Sequence, residues 1–563
     1  MGNKITGARY IAQTIQGYGI SHVFYIEAIL RRTLVEMEKL GIKRVLAHSE
    51  KAAAYMADGY ARAGNRPGLC MAQSVGAANL AAGLQDAYLG HSPVIAFTGR
   101  KPPLYQYRNS YQEILHNSMY QAVTKYNVEV SVPEQLPHLL AQAFREATTG
   151  TPGPAHLDFL GYEGNFTDEA EAELTPAVQP EHARLPAHRP RPEPADVRRA
   201  AEALARAQRP VLVAGRGALV SGAQAELRAL AERLPAPVIV SMDGKSVLTE
   251  DHPLYVGPVG SYCAPCANKV LGEADLVFFV GCSTGDQVTR NWTLPPVGSP
   301  VVQLDINPAE LGRNYPGTLG ILADARAGLE ALNAELGGPG GGQGRPARPG
   351  ARSAWAERAR AIVAEWRASV QAQRDSQAVP IRPERLCADI TAELPADAVV
   401  VADTGYSAIW AGTLIEILKP GQLFLRAAGS LGWAFPAALG AKCAVGERPV
   451  VCFTGDGAFW YHLCELETAV RWNIPTVTVI NNNSVLGQSQ LGIRRAYRGE
   501  KGREQQQYKF NDTNFARLAE DLGALGIRVE DPGQIRGALR RALESGRPAV
   551  VDVVTEAESH PCL

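Results

Sequence analysis

The sequence predicts an α/β protein made of three doubly wound domains with mainly parallel sheets. Its 563 residues are enough for about three domains. Short apolar, β-branched segments alternate with helical stretches, which is the pattern of strand–helix–strand units. Two stretches rich in Pro, Gly, Glu and Ala interrupt this alternation. We therefore predict domains at 1–165, 190–336 and 354–563, with linkers at 166–189 and 337–353.

The strands of each domain are predicted from its apolar, β-branched runs. In the first domain they lie at 45–47, 68–71 and 94–98, with a helix at 50–62. In the central domain they lie at 211–214, 238–241, 276–281 and 301–305. In the last domain they lie at 399–402, 450–454, 476–480 and 549–554, with a helix at 462–472.

Composition excludes several classes of function. The 56 basic and 57 acidic residues nearly cancel, so charge favours neither a nucleic-acid partner nor an anionic membrane. Nine cysteines are scattered without a disulfide framework, as is typical of a reducing compartment. No apolar run reaches membrane-spanning length and no signal-peptide core is present. We expect a cytoplasmic protein with neither a membrane nor a nucleic-acid partner.

The most informative motif is the Gly455-Asp456-Gly457 turn, followed one strand–helix–strand unit later by Asn482-Asn483. Two neighbouring parallel strands would place Asp456 and Asn483 side by side at the carboxyl edge of the sheet, where open α/β sheets bind ligands. A carboxylate and an amide oxygen suit Mg²⁺, which takes its other ligands from phosphate oxygens and water. The glycines allow backbone N–H groups to approach phosphates at a helix N-terminus. An ordinary sheet core with an acidic turn is the alternative interpretation.

This arrangement resembles the thiamine-diphosphate signature of the acetolactate synthase-like family, which includes acetohydroxyacid synthases, benzaldehyde lyase and oxalyl-CoA decarboxylase. The resemblance covers nearly the whole chain, and Glu465-Leu466, Thr468-Ala469 and Pro475 match the family's E-L-x-T-A…P pattern. It implies a pyrimidine-binding, a central and a diphosphate-binding domain. It also implies thiamine diphosphate and Mg²⁺ as cofactors.

The resemblance assigns Glu50 as the carboxyl group that hydrogen-bonds the pyrimidine ring of the cofactor. Residues 50–62 resemble the family's E-Q-A-A-A…A-D-G-Y-A-R, with Lys51 in place of Gln. Residues 72–79 resemble its Gly-rich loop, which makes Val75 and Asn79 candidate cofactor contacts. Gln112 matches an aromatic-Gln element whose amide reaches the reacting carbon, and a surface-loop glutamine is its alternative.

Further cofactor residues follow from the same resemblance. Gly429 and Leu431 match G-x-M-G, in which the bulky residue bends the cofactor, and leucine replaces methionine at similar volume. Tyr406 and Ser407 stand where the family commonly has G-Q-H and can still hydrogen-bond phosphate. The implied ligands of Mg²⁺ are Asp456, Asn483 and the carbonyl of Val485. The predicted cofactor contacts are Val75, Asn79, Tyr406, Ser407, Gly429, Leu431, Gly455, Asp456, Gly457, Ala458, Asn483 and Val485.

Departures from the family pattern concern the substrate. The usual Gly-x-Pro-Gly is Tyr25-Ile26-Glu27-Ala28 here, so Glu27 is a candidate acid/base, and a solvated loop glutamate is the alternative. The apolar M-V-R-Q-W-Q after the asparagines is replaced by a polar stretch that begins at Gly487. A polar wall suits a methyl donor poorly. Tyr25, Gln488 and Arg494 are candidate substrate contacts, and a solvated basic helix face is the alternative for Arg494.

The central domain carries glycines after a strand at 215 and 217. Such glycines are weak evidence for a nucleotide. Relatives hold FAD, ADP or nothing there, and the family's flavin segment is altered at 281–287, so we do not favour FAD or ADP.

We predict a thiamine-diphosphate-dependent enzyme that decarboxylates a 2-oxo acid, or uses an acyloin, and ligates the acyl group to an acceptor carbonyl. We do not expect the housekeeping acetolactate synthase reaction. The alternatives are a 2-hydroxyacyl-CoA lyase, an oxalyl-CoA decarboxylase and a flavin-linked 2-oxo acid oxidase. Because Glu50 and the diphosphate motif lie on different domains, the resemblance implies a homodimer or homotetramer with active sites at the subunit interface.

Overall fold

A computed structural model of the protein describes residues 4–161, 164–337 and 350–561. It contains three sheets of six strands, and all strand pairs within these sheets are parallel. Helices flank each sheet, which confirms the predicted fold class. Within the described ranges, no helix has both the length and the apolar composition needed to cross a membrane.

The first sheet is built from the N-terminal part of the chain. Its strand order is Lys43–Leu46, His22–Tyr25, Gly68–Gln73, Val94–Arg100, Ala155–Leu160 and Tyr126–Val130. The accompanying helices are Gly7–Gly17, Arg31–Lys39, Glu50–Gly64, Gly76–Leu89, His116–Tyr120, Leu136–Thr148 and Asn165–Glu169.

The central sheet has the strand order of a Rossmann fold. The order is Tyr255–Pro258, Val238–Val240, Pro210–Ala214, Leu276–Val280, Val301–Asp305 and Leu319–Leu322. Its helices are Pro194–Arg206, Arg216–Val220, Gln224–Arg233, Pro265–Gly272, Asp286–Thr289 and Ala325–Gly337.

The third sheet repeats the topology of the first, although the two domains share no recognisable sequence repeat. Its strand order is Leu423–Arg426, Val399–Ala402, Val450–Gly455, Val477–Asn482, Ala549–Val554 and Leu525–Val529. The helices are Ala351–Arg374, Pro383–Glu393, Tyr406–Leu414, Ala434–Val445, Asp456–Phe459, Glu465–Arg471, Gly487–Tyr497, Phe515–Asp521 and Ile535–Glu544.

Two regions differ from the prediction. The helix predicted at 462–472 is shorter and spans Glu465–Arg471, because turns follow Phe459 first. The predicted linker at 166–189 is partly ordered, since Glu171–Glu173 pairs antiparallel with Lys4–Thr6. Most of the predicted linker at 337–353 falls on residues 338–349, which lie outside the described residues.

The first and third domains share one apolar core. At its centre, helix Glu50–Gly64 crosses helix Ala434–Val445 at glycines. A Cβ atom at Gly59 would lie 1.9 Å from the carbonyl oxygen of Ala437. A Cβ atom at Gly440 would lie 1.8 Å from the carbonyl oxygen of Met56. The two helices therefore approach each other more closely than any larger residue would allow.

This close approach makes Gly440→Ala destabilising. The added methyl group must push the helices apart, and overpacking of this kind costs roughly 1–3 kcal/mol. The measurement is the urea midpoint of unfolding. Gly537→Ala is the matched control, because Gly537 lies on the exposed face of helix Ile535–Glu544 with nothing within 4 Å of the new Cβ. That variant should gain about 0.5–1 kcal/mol. Equal midpoints for the two variants would contradict the packing argument.

Candidate functional site

The structure places Asp456 and Asn483 at the ends of two neighbouring parallel strands, Val450–Gly455 and Val477–Asn482. Asp456 is 2% exposed, and Asn483 is half-buried. Burial raises the pKa of Asp456 to about 7, although the N–H groups of Gly457 and Asn483 oppose this shift. The amide oxygen of Asn483 accepts a hydrogen bond from the N–H of Val485 at 3.3 Å. A bound cation would compensate the buried carboxylate charge, so these residues fit Mg²⁺.

A cavity of about 390 Å³ opens beside this pair. Its lining comes from the central and third domains of the described chain. It brings together eleven of the predicted site residues: Tyr406, Ser407, Gly429, Leu431, Gly455, Asp456, Gly457, Ala458, Asn483, Val485 and Gln488.

Among the glycines of the cavity, Gly429 leaves the backbone open to a ligand. A Cβ atom at Gly429 would meet no atom within 4 Å, so this glycine borders open space. A Cβ atom at Gly455 would lie 3.2 Å from the hydroxyl of Ser407. Gly455 also precedes the N-terminus of helix Asp456–Phe459, where backbone N–H groups are free of helical partners. The cavity therefore fits a diphosphate group bound to a metal ion.

Leu431 lies on a segment that two buried carboxylates hold in place. Asp86, from the first domain, accepts the N–H groups of Ala428, Gly429 and Ser430 at 2.9–3.1 Å. Asp403 accepts the N–H groups at positions 432 and 434 at 3.0 and 3.1 Å. Burial raises the pKa of Asp403 to about 6, although these hydrogen bonds lower it. The two carboxylates thus fix the backbone on both sides of Leu431.

Sequence reasoning missed both carboxylates as site residues. Asp86 is a lone acidic residue in the apolar stretch of helix Gly76–Leu89, and it is fully buried. A buried acidic residue in such a stretch needs partners, and this is the signal that could have found it.

Glu50 lies in a second cluster, within the first domain. The side-chain amide of Asn79 donates to the Glu50 carboxylate at 3.2 Å. A Cβ atom at Gly76 would lie 2.4 Å from a Glu50 oxygen, so the carboxylate rests on this glycine. Val75, just before it, has a φ of 66° and is 44% exposed.

Gln112 belongs to the same cluster. The amide of Gln73 donates to the side-chain oxygen of Gln112 at 2.9 Å, and the hydroxyl of Ser74 donates to its carbonyl. Because Gln73 and Ser74 lead directly into Val75 and Gly76, the Gly-rich loop connects Gln112 to Glu50. The structure thus brings Glu50, Val75, Asn79 and Gln112 together, but not to the cavity of the same chain.

The remaining predicted residues also lie outside the cavity lining. Glu27 forms an ion pair with Arg31 at 2.5 Å, which lowers the pKa of Glu27, and its side chain is 55% exposed. Arg494 pairs with Glu558 through two contacts of 2.6 and 2.9 Å. Tyr25 is half-buried, and burial raises its pKa.

Two central-domain residues, Tyr262 and Gln287, line the cavity and were missed from the sequence. The amide of Gln488 donates to the Tyr262 hydroxyl at 2.9 Å. Gln287 accepts from Arg426 at 2.6 Å. These contacts join polar residues of the central and third domains at the cavity. No local sequence pattern predicts such contacts between domains.

The glycines of the central domain have a packing role. A Cβ atom at Gly215 would lie 2.2 Å from the carbonyl oxygen of Gly281. A Cβ atom at Gly217 would lie 2.8 Å from the Cα atom of Gly281. Close packing of two turns thus accounts for both glycines, and the absence of FAD or ADP stays a prediction.

Comparison with known proteins agrees with this architecture. Three protein-family sequence models of thiamine pyrophosphate enzymes match the chain. They are the N-terminal TPP binding domain at 5–120, the central domain at 197–332 and the C-terminal TPP binding domain at 403–553.

Relatives match over nearly their full length. A probable acetolactate synthase large subunit of Methanocaldococcus jannaschii is 31% identical, over 99% of this chain and 93% of the relative. The acetolactate synthase isozyme 3 large subunit of Escherichia coli is 29% identical, over 99% and 96%. The chain therefore belongs to the thiamine-diphosphate-dependent enzymes of the acetolactate synthase-like family, which are decarboxylases and carboligases.

Proposed function

We propose that this enzyme decarboxylates a 2-oxo acid and ligates the acyl group to an acceptor carbonyl, with thiamine diphosphate and Mg²⁺ as cofactors. The observation that supports this most is the buried Asp456 beside Asn483 at a glycine-lined cavity. The relatives named above, which carry the name acetolactate synthase, support carboligation in particular.

Each part of the cavity has a role in this proposal. Asp456, Asn483 and the carbonyl of Val485 hold Mg²⁺. The backbone at 455–458 and the side chains of Tyr406 and Ser407 hold the diphosphate. Leu431, on its doubly anchored segment, would contact the cofactor beside Gly429. When bound, thiamine diphosphate supplies a nucleophilic carbon that breaks and forms carbon–carbon bonds next to a carbonyl.

The Glu50 cluster handles protons and the reacting oxygen. Glu50 holds a proton against the pyrimidine nitrogen of the cofactor, and Asn79 orients its carboxyl group. Val75 borders the pyrimidine ring. Gln112, oriented by Gln73, donates a hydrogen bond to the substrate oxygen on which negative charge develops.

Two copies of the chain complete each active site in this proposal, as a homodimer or a homotetramer. The Glu50 cluster does not line the cavity of its own chain, which supports a site in which a second copy supplies this cluster. Large apolar side chains stand exposed next to it: Leu104 is 69% exposed, Tyr107 85% and Tyr111 80%. Exposed apolar surface of this kind indicates a contact with another chain.

We infer a substrate more polar than pyruvate. Gln488 and Tyr262 form a hydrogen-bonded wall at the cavity, and a methyl group there would face polar atoms. Arg494 is paired with Glu558, so it would contact a substrate carboxylate only by exchanging that partner. Tyr25 and Glu27, near the start of helix Arg31–Lys39, stay proposed substrate-side residues. The domain limits 1–165, 190–336 and 354–563 also stay proposals.

Product analysis by mass spectrometry tests this function. The purified enzyme with thiamine diphosphate and Mg²⁺ is given pyruvate alone, and then a panel of 2-oxo acids and aldehydes. We expect a new acyloin from a polar 2-oxo acid. Pyruvate should be turned over at least about tenfold more slowly, because one mismatched contact in a pocket can discriminate between substrates by this factor.

The Glu50→Gln variant is the control for contaminating activity. Rapid formation of acetolactate from pyruvate would contradict the inferred substrate but not the carboligation. Turnover of none of these compounds would contradict the carboligation itself.

A further inference from the structure

Helix Glu465–Arg471 of the third domain contacts the turn that leads into Glu50. The carboxylate of Glu465 accepts the backbone N–H of His48 at 2.9 Å. The guanidinium of Arg471 donates to the carbonyl of Leu46 at 2.8 Å. The His48 ring lies 2.7 Å from the carboxylate of Glu467. Through Glu465 and Arg471, this short helix thus holds the backbone just before Glu50 from a distant part of the same chain.

Glu465 is the buried member of this contact. Its side chain is fully buried, and burial raises its pKa. The hydroxyl of Thr468 donates to it at 2.8 Å, and this bond and the N–H groups of His48 and Ser49 oppose the shift. A buried carboxylate is costly unless donors surround it, so its position relative to these N–H groups is closely defined.

The turn receives no comparable support from its own residues. Ser49 is the N-cap of helix Glu50–Gly64, but its side chain makes no capping hydrogen bond. The N–H of His48 is instead satisfied by Glu465 from the third domain. The conformation at 48–49 sets the direction in which the first helical residue, Glu50, projects its side chain.

We propose that Glu465 is a positioning residue for Glu50. Its carboxylate holds the N–H group of His48, and so orients Glu50 toward the cofactor that the second copy of the chain binds. This inference rests on the proposed function, because it requires that Glu50 contact the cofactor. Glu465 itself does not touch the reacting atoms.

The test compares Glu465→Gln with a control on the same helix. Glutamine keeps the size of the side chain but removes the charge and one acceptor. Glu467→Gln is the control, since Glu467 contacts the side chains of His48 and Arg471 and is 39% exposed. Glu50→Gln is measured in parallel.

The first readout is amide hydrogen exchange in the protein without cofactor. In Glu465→Gln the amide of His48 should exchange about tenfold faster, because its hydrogen bond to a charged group is lost. In Glu467→Gln this amide should exchange at the wild-type rate.

The second readout uses the enzyme with thiamine diphosphate and Mg²⁺. In Glu465→Gln the exchange of the cofactor C2 proton should slow by about 10- to 100-fold, as expected for a misplaced catalytic group. The Kd of the cofactor and the KM of the substrate should stay within about twofold of wild type, because the binding contacts are intact. A general structural defect would instead weaken all of these together.

The outcomes separate the inference from the proposed function. Normal C2 exchange in Glu465→Gln, with slow exchange in Glu50→Gln, overturns the positioning role alone. Normal exchange in both variants overturns the role of Glu50 and the inference with it. If Glu465→Gln does not fold, Thr468→Val removes one donor from the same carboxylate. Unchanged amide and C2 exchange in that variant also overturns the inference.

Discussion

Glu50→Gln is expected to leave folding and cofactor binding intact while slowing C2–H/D exchange of thiamine diphosphate by about 10²–10⁴-fold. The glutamine side chain still fits above Gly76 and can still meet Asn79, so the local structure should persist. It has no carboxyl proton to share with the pyrimidine nitrogen, so the cofactor loses its activation. The measurement is quenched-flow exchange followed by proton NMR.

Glu38→Gln is the matched control for this prediction. Glu38 is a surface glutamate of the same domain, 63% exposed and paired with Arg44. Its replacement should leave the exchange rate unchanged. An unchanged rate in Glu50→Gln as well would show that another residue activates the cofactor.

Asp456→Asn is expected to weaken the binding of thiamine diphosphate with Mg²⁺ by about 100-fold or more, since metal sites lose this much even when a supporting residue is changed. The replacement removes the only charge among the three proposed protein ligands. Asparagine keeps the shape of the buried site, and burial no longer opposes a charge there, so the protein should fold. Isothermal titration calorimetry with and without Mg²⁺ measures the effect.

Asp521→Asn is the control, because Asp521 is an exposed residue at the end of helix Phe515–Asp521. It should bind the cofactor as the wild type does. Wild-type affinity in Asp456→Asn, or an affinity that does not depend on Mg²⁺, would contradict the metal site.

The two variants together test whether each site is shared between subunits. If Glu50 and Asp456 of one site come from different chains, a mixed dimer of the two inactive variants contains one site with both native residues. Unfolding and refolding the mixture should therefore restore activity, up to about a quarter of wild type for random pairing into dimers. A mixture that stays inactive would show that both residues act within one chain.

The third domain illustrates how far local patterns reach. Its central strands were predicted at 450–454 and 476–480, and the structure has them at Val450–Gly455 and Val477–Asn482. Buried parallel strands are continuous apolar runs, so their composition alone reveals them. The helix between them begins later than predicted, at Glu465, because the turns after Phe459 depend on contacts rather than on periodicity.

The sequence by itself determined the fold class and the neighbouring positions of Asp456 and Asn483, and its resemblance to the family grouped Glu50 with Asn79. These features follow from strand order and from motifs whose residues are close in the chain. Only the tertiary structure decided that Asp86 and Asp403 anchor the Leu431 segment, that Arg494 is paired with Glu558, and that Glu465 holds the turn before Glu50. Most of these contacts join residues far apart in the chain, and a hydrogen bond depends on distances that packing alone sets.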